Sequence, residues 1–264
     1  DRKDWDRFQG AADHFCRIYD VMGYNYAKHI FQVRGNVEAR PAEKCVVVKL
    51  EAPRNTPVRY TLNGNTPDLF SRKYTGPLVI TESCELKAAA MTDDLEPKVF
   101  SREFDFHKAV GKVVTYSREP HESYSSGAPG SLVDAVRGPN ERKCDEGVAW
   151  YDKPVDIIVD MDRTEPYSSV SVGLLSKKSS YAFLPQNLAV AVSEDGENYS
   201  EVASADYGVE PEDAPDAITD LTLSFPETTA RYMRLTVTPV ETIPQWHYAH
   251  GRRTFVFIDE IIVK

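Results

Sequence analysis

From about Val37 onward the chain is written in short β-branched runs separated by turn residues, and helical periodicity does not return. That pattern commits most of the chain to sheets. Cys45-Val46-Val47-Val48-Lys49-Leu50 reads as a strand, and residues 53–57 as the loop that ends it. Val58-Arg59-Tyr60-Thr61-Leu62 runs into Asn63-Gly64, a pair that tolerates positive φ and so marks a tight turn. Strands at about 77–80, 84–90 and 98–106 complete a small sandwich, with His107-Lys108-Ala109 as the seam. Further strands are expected at 111–116, 155–161, 168–175, 187–192, 221–225, 230–237 and 254–263. Several alternate apolar and polar residues, which suits a sandwich or jelly roll with one face of each sheet in a core. Residues 118–144 and 204–220 read as long loops, the second acidic and expected to be a solvated excursion.

Ahead of this lies one helix. Trp5, Phe8, Ala12, Phe15, Tyr19 and Met22 fall on a single face, and Gly23 follows where a left-handed cap belongs. A helix with one apolar stripe has to lie against something larger.

Forty-one acidic against 31 basic residues give a net charge of −10, so the long-range field repels phosphate backbones and anionic lipid. Nucleic acid is therefore excluded as a partner, and no run reaches the ~20 apolar residues of a membrane span. The chain opens on Asp1-Arg2-Lys3 with neither an initiator Met nor a signal peptide, and is expected to be a piece of a longer protein. Cys16, Cys45, Cys84 and Cys144 form no CxxC pair and no zinc spacing. Two readings stand for them: buried free thiols, or a Cys45–Cys84 bridge.

Three resemblances follow. Val58–Pro67, with Tyr74-Thr75-Gly76-Pro77-Leu78 and Leu86-Lys87-Ala88-Ala89-Ala90, resembles the small β-sandwich at the C-terminus of chitobiases and β-N-acetylhexosaminidases, with Asn63 in place of the usual Asp. The last 155 or so residues resemble a discoidin or coagulation-factor type C domain, the fold of family 32 carbohydrate-binding modules. That match rests on Ser131-Leu132-Val133-Asp134, 155–161, 188–196, Ala230-Arg231-Tyr232-Met233-Arg234-Leu235 and Phe257-Ile258-Asp259-Glu260-Ile261. The opening helix and Gly23-Tyr24-Asn25-Tyr26 are similar to the last helix of the catalytic (β/α)₈ barrel of family 20 glycoside hydrolases. The expected fold is mainly β: an N-terminal helix and connector (1–36), a small Ig-like β-sandwich (37–107), and a discoidin-like β-sandwich or jelly roll (108–264).

The resemblance implies a non-catalytic accessory C-terminal region of a bacterial β-N-acetylhexosaminidase, secreted, periplasmic or on the outer surface. Its partners would be a glycan or glycoprotein and the missing catalytic barrel of the same chain. The alternatives are a purely structural tail that stabilises or spaces the barrel, and a protein-adhesion module. No GxSxG, HExxH, P-loop or GxGxxG is present, so no catalytic residue is assigned and no cofactor is required. The Asp259-Glu260 pair echoes the carboxylate pair of family 20, but along a strand the two point to opposite faces. Asp93-Asp94 and Asp145-Glu146 read as solvated turns. Discoidin-like folds often hold a structural calcium, and the resemblance places it at Asp134 and Glu260, with carbonyls from residues 137–140; Ala135 replaces the usual Gly. The competing reading there is an Asp cap and an ion pair. Sugars are recognised by aromatic faces at loop tips. The segment Trp246-His247-Tyr248 lies in a predicted loop, and the candidate contacts are Trp246, His247, His250, Arg252, Trp150, Tyr181 and Phe183.

Overall fold

The computed structural model describes residues 4–24, 32–52, 56–91, 99–125, 127–138 and 147–264. Asn25, Tyr26, Asp93, Asp94, Pro139, Asn140, Cys144, Asp145 and Glu146 lie outside them. Helix α1 spans Trp5–Met22; the Asp4 carboxylate caps its start by accepting the Arg7 N–H, and Gly23 ends it at φ 69°. On its apolar stripe Phe8, Phe15 and Met22 are each more than half exposed (55%, 54% and 55%). Among the described residues no helix is long and apolar enough to cross a membrane.

The chain divides into two compact units. The first takes Asp1–Glu38, Val47–Val79 and Cys84–Arg102; the second takes Ala39–Val46, Ile80–Ser83 and Glu103–Lys264. Seven short strands build two small sheets: β1 (Arg34–Arg40), β2 (Cys45–Glu51), β3 (Val58–Thr61), β4 (Arg72–Lys73), β5 (Leu78–Ile80), β6 (Cys84–Ala90) and β7 (Phe100–Phe104). Their orders are β1-β2-β5 and β4-β3-β6-β7. Gly64 takes φ 77°, as the turn after β3 requires, and the Asn63 side chain accepts the Asn65 N–H. Cys16, Cys45 and Cys84 are free thiols.

The second unit is a β-sandwich built on two strands of unusual length. Strands β8 (Val113–Tyr116), β9 (Val148–Tyr151), β10 (Val155–Ser176), β11 (Asn187–Ser193), β12 (Ser200–Asp206), β13 (Ala217–Thr238) and β14 (Phe255–Val263) follow one another. They run in the order β12-β11-β13-β10-β14-β9, with β8 also paired to β10. β10 and β13 pair antiparallel along most of their length, with register shifts between Asp160/Glu165 and Tyr167/Ser169. The first half of β10 also carries β8, and its second half β14, so each long strand turns from one layer into the other. Asp160 fixes the corner: it accepts the Asp162 N–H and two bonds of 2.8 Å from Arg231. The inward alternation of Ile157, Val159, Met161 and Leu235 on one side and Val172, Leu174 and Ile258 on the other fills one core. Each such side chain contributes about 1.5–3 kcal/mol by leaving water.

Candidate functional site

The loop between β13 and β14 is a folded knot at one end of the sandwich. Ile243 N–H donates to Arg252 O and Gly251 N–H to Ile243 O, with Gly251 at φ 79°. Ile243 and Ala249 pack with Phe183 in a small core of their own, against which Tyr181 and Trp246 lie half-buried. His247 belongs to this scaffold. Its Nδ1 accepts the Ala249 N–H, so Nε2 carries the proton, 3.1 Å from Lys178 O.

Above that core sits a pair of rings, Tyr181 half-buried and Tyr248 exposed. Tyr181 closes the short turn Lys178–Ser180 at φ 59°, a left-handed conformation that costs a non-glycine residue about 1–3 kcal/mol and is characteristic of built sites. Tyr248 is 75% exposed, its ring centroid 6.2 Å from that of Tyr181 and tilted at 50°. A hydrogen bond with the Tyr181 side chain raises the Tyr248 hydroxyl above its usual range, with burial a smaller cause. The Arg252 guanidinium stands 5.9 Å from the Tyr181 ring centre, Nη1 at 3.5 Å from its hydroxyl. Beneath, Glu210 accepts the Leu184 N–H and Lys178 donates to Ala214 O. The acidic segment expected to be solvated is in part tied down as the floor of this end.

The structure thus brings Tyr181, Trp246 and Arg252 together, with exposed His250 in the same loop. It removes three candidates from solvent. Phe183 (1% exposed) and His247 (7%) support the loop from below, and Trp150 (2%) faces the main core. A ring with both faces packed has none to offer a sugar. Tyr248, singled out in the loop segment beside Trp246 but not among the seven candidate contacts, is the most exposed tyrosine ring of this end.

The Asp134–Glu260 pair is a different construction. Glu260 is fully buried, and its Oε1 accepts from His107 Nε2 at 2.7 Å and from Ala135 N–H at 3.0 Å. His107 Nδ1 takes the Ala109 N–H, which makes Nε2 the donor. Asp134 Oδ1 caps the Val136 N–H. Calcium takes six to eight oxygens, whereas here two N–H groups already point at the carboxylate. The carbonyls of Val133 and Ala135 are bonded to the N–H groups of Gly111 and Asp105. Glu260 Oε2 is left buried without a hydrogen-bond partner, yet among the described residues no group of three His, Cys, Asp or Glu could hold a metal. The two N–H groups occupy Glu260 Oε1, where His107 faces the acid, and residues 139 and 140, two of the four expected carbonyl donors, lie outside the described residues.

Next to it lies a network that sequence reasoning missed. Arg137 donates from Nε to Asp259 Oδ2 at 2.9 Å and from Nη1 and Nη2 to Asp220, while Gly138 N–H donates to Asp259 Oδ1 at 2.7 Å. Asp259 and Glu260 therefore face different partners, and neither is placed for acid–base chemistry.

Burial, with the charge of Glu260 added, pushes Asp134 up to about 7 from 3.8. Burial likewise raises Glu260 well above its ordinary value and lowers His107 from 6.5 to about 4. The raised carboxyls stabilise the fold at acid pH, and Asp134 loses that contribution as pH rises through 7. The lowered histidine works the other way, losing its contribution as pH falls from 6.5 through 4. Above pH 6.5 the folded histidine is neutral and the unfolded one loses only its remaining proton fraction, a smaller opposing gain than the loss from the carboxyls. The melting temperature is expected to fall by a few degrees as pH rises from 6.5 past 7, and Asp134→Asn to flatten the decline. Calorimetry across that range checks it; a flat profile for the unaltered chain would show that Asp134 is not held neutral.

Comparison with known proteins gives partial matches. The family described as "Fn3 associated" matches residues 48–104. Among solved structures, chitosan-binding module 1 of a chitosanase/glucanase from Paenibacillus sp. IK-5 is 18% identical, covering 60% of this chain and 98% of that one at a TM-score of 0.37. Module 2 of the same enzyme, in complex with chitotriose, is 20% identical over 60% of this chain and 98% of that one, TM-score 0.38. The module CpGH89CBM32-5 from Clostridium perfringens, in complex with GalNAc-β-1,3-galactose, is 16% identical over 57% of this chain and 93% of that one, TM-score 0.37. No curated protein matches.

Proposed function

We propose that the second unit is a carbohydrate-contact module and that its contact surface is the Tyr181–Tyr248–Arg252 end. The observation that carries the reading is Tyr248: a large ring 75% exposed, held at a fixed tilt by its neighbour and flanked by a guanidinium. An exposed aromatic face stacks on the C–H face of a sugar ring, and a cation beside it directs hydrogen bonds to hydroxyls. The Tyr181–Tyr248 ring contact and the packed core below pre-organise the surface, so little ordering entropy is lost on contact.

On this reading the chain is an accessory, non-catalytic region of a β-N-acetylhexosaminidase. Its modules are the helix and connector (1–36), the small sandwich (37–107) and the glycan-contact sandwich (108–264), with export from the cell implied. The exposed part of α1 supports it, because a helix with Phe15 and Met22 more than half exposed suits a partner such as a barrel wall.

An array of N-acetylglucosamine- and galactose-containing oligosaccharides probed with the whole chain is expected to give binding that Tyr248→Ala weakens about tenfold or more without changing the melting temperature. A blank array with a folded protein would favour the structural-tail reading.

A further inference from the structure

The charge of this chain is unevenly spent. A cavity of about 660 Å³ in the second unit is lined by Lys44, Lys108, Lys112, Arg163 and Lys264, with Glu165 the one carboxylate among its lining residues. In a chain of net charge −10 such a lining is the reverse of the average surface. Three of the cations are held in place by acids: Lys112 by Asp162 at 2.8 Å, Arg163 by Glu165 at 2.7 Å and Lys264 by Asp105 at 3.3 Å. Lys112 and Lys108 are further fixed on the carbonyls of Met161 and Pro166. Lys44 and Lys108 have no carboxylate partner among the described residues, so the cavity keeps uncompensated positive charge.

We propose that this cavity binds an acidic oligosaccharide, one whose sugars carry carboxylate or sulfate groups. Its volume lies within the about 300–1,000 Å³ of small-molecule sites, which suits a short glycan rather than a folded partner. Phe106 and Val263 give the lining an apolar part on which a C–H face can rest, while the ammonium groups meet the acid groups. The site is separate from the Tyr181–Tyr248–Arg252 surface and does not depend on the reading of that surface.

The test is calorimetric titration of the whole chain with trigalacturonate, whose three sugars each bear a carboxylate. Binding is expected at low salt, to weaken steeply as sodium chloride is raised, and to fall about tenfold in K44Q/K108Q. Excess neutral tri-N-acetylchitotriose is expected not to displace it. Amide shifts in the unaltered protein should move at 106–112 and 163–165, which locates the ligand even if the variant folds poorly. Absence of binding at low salt, shifts confined to 246–252, displacement by the neutral trimer, or an affinity unchanged in K44Q/K108Q would overturn the proposal. So would equal affinity for a triglutamate peptide, which would reduce the site to charge without sugar recognition.

Discussion

Arg137→Met lowers the stability of the second unit by about 3–5 kcal/mol, because it leaves a nearly buried carboxylate without its counter-charge. The Arg137 and Asp259 side chains are each 9% exposed, and only the Gly138 N–H would remain bonded to Asp259. Asp259 is already pushed above the usual carboxylate range by burial, with Arg137 pulling it back. Removing the guanidinium therefore either buries an unpaired charge or forces the acid to take up a proton. In a unit of this size the loss reads as a fall of roughly 10 °C in the melting temperature. Asp220→Asn is the informative contrast. That carboxylate is 45% exposed, so its half of the network is screened by water and its loss costs no more than about 1 kcal/mol. The double variant R137M/D259L should recover much of the stability of R137M, since an apolar pair of similar volume removes the uncompensated charge. Equal losses in R137M and D220N would show that the network is held by exposure-insensitive packing instead.

The seat for Arg137 shows where sequence reading stops. Asp220 and Asp259 lie 83 and 122 positions further along, and Gly173 accommodates them because a Cβ there would fall 2.8 Å from Arg137 Nη2. No local pattern carries that triangle. The strands were legible where β-branched residues alternate, as in β11 and the two halves of β10. What local pattern could not show is that residues 155–161 and 168–175 form one strand: Asp160-Met161-Asp162-Arg163-Thr164-Glu165 has turn composition, and here it is a bulged corner after which the same strand resumes pairing with β13. β12 was missed because an edge strand of Ser, Glu and Ala has neither the apolar face nor the branching that marks a buried one. Calcium was expected at Asp134 and Glu260 from resemblance, and the N–H donors of His107 and Ala135 that take up Glu260 Oε1 were not legible, being remote in sequence or part of the backbone.

Trp150→Ala is expected to cost about 3–5 kcal/mol, while Tyr151→Ala, one residue on, costs about 1 kcal/mol or less. The sequence offers the two as equivalent aromatics beside a strand, and only pairing decides between them. Trp150 pairs with Val256 and Tyr151 with Phe255, so the strand's alternation turns the indole into the main core and the phenol outward. Inside, the indole lies edge-on to Tyr116 with centroids 5.9 Å apart, and its Nε1–H donates to Arg118 O at 3.0 Å. Truncation empties a cavity and orphans that carbonyl. Tyr151 is 39% exposed and gives up mainly its contact with the Phe255 ring, 4.6 Å away. Thermal unfolding of the two variants measures the difference. Glycan affinity, measured below the melting point of each, separates the two kinds of aromatic in this molecule. Trp150→Ala should retain whatever binding Tyr248→Ala loses, because a ring sealed in the core acts on a ligand only through the fold. Loss of binding in Trp150→Ala at an unchanged melting temperature would mean that the indole reaches the surface, and the assignment of the contact end to Tyr181, Tyr248 and Arg252 would fall with it.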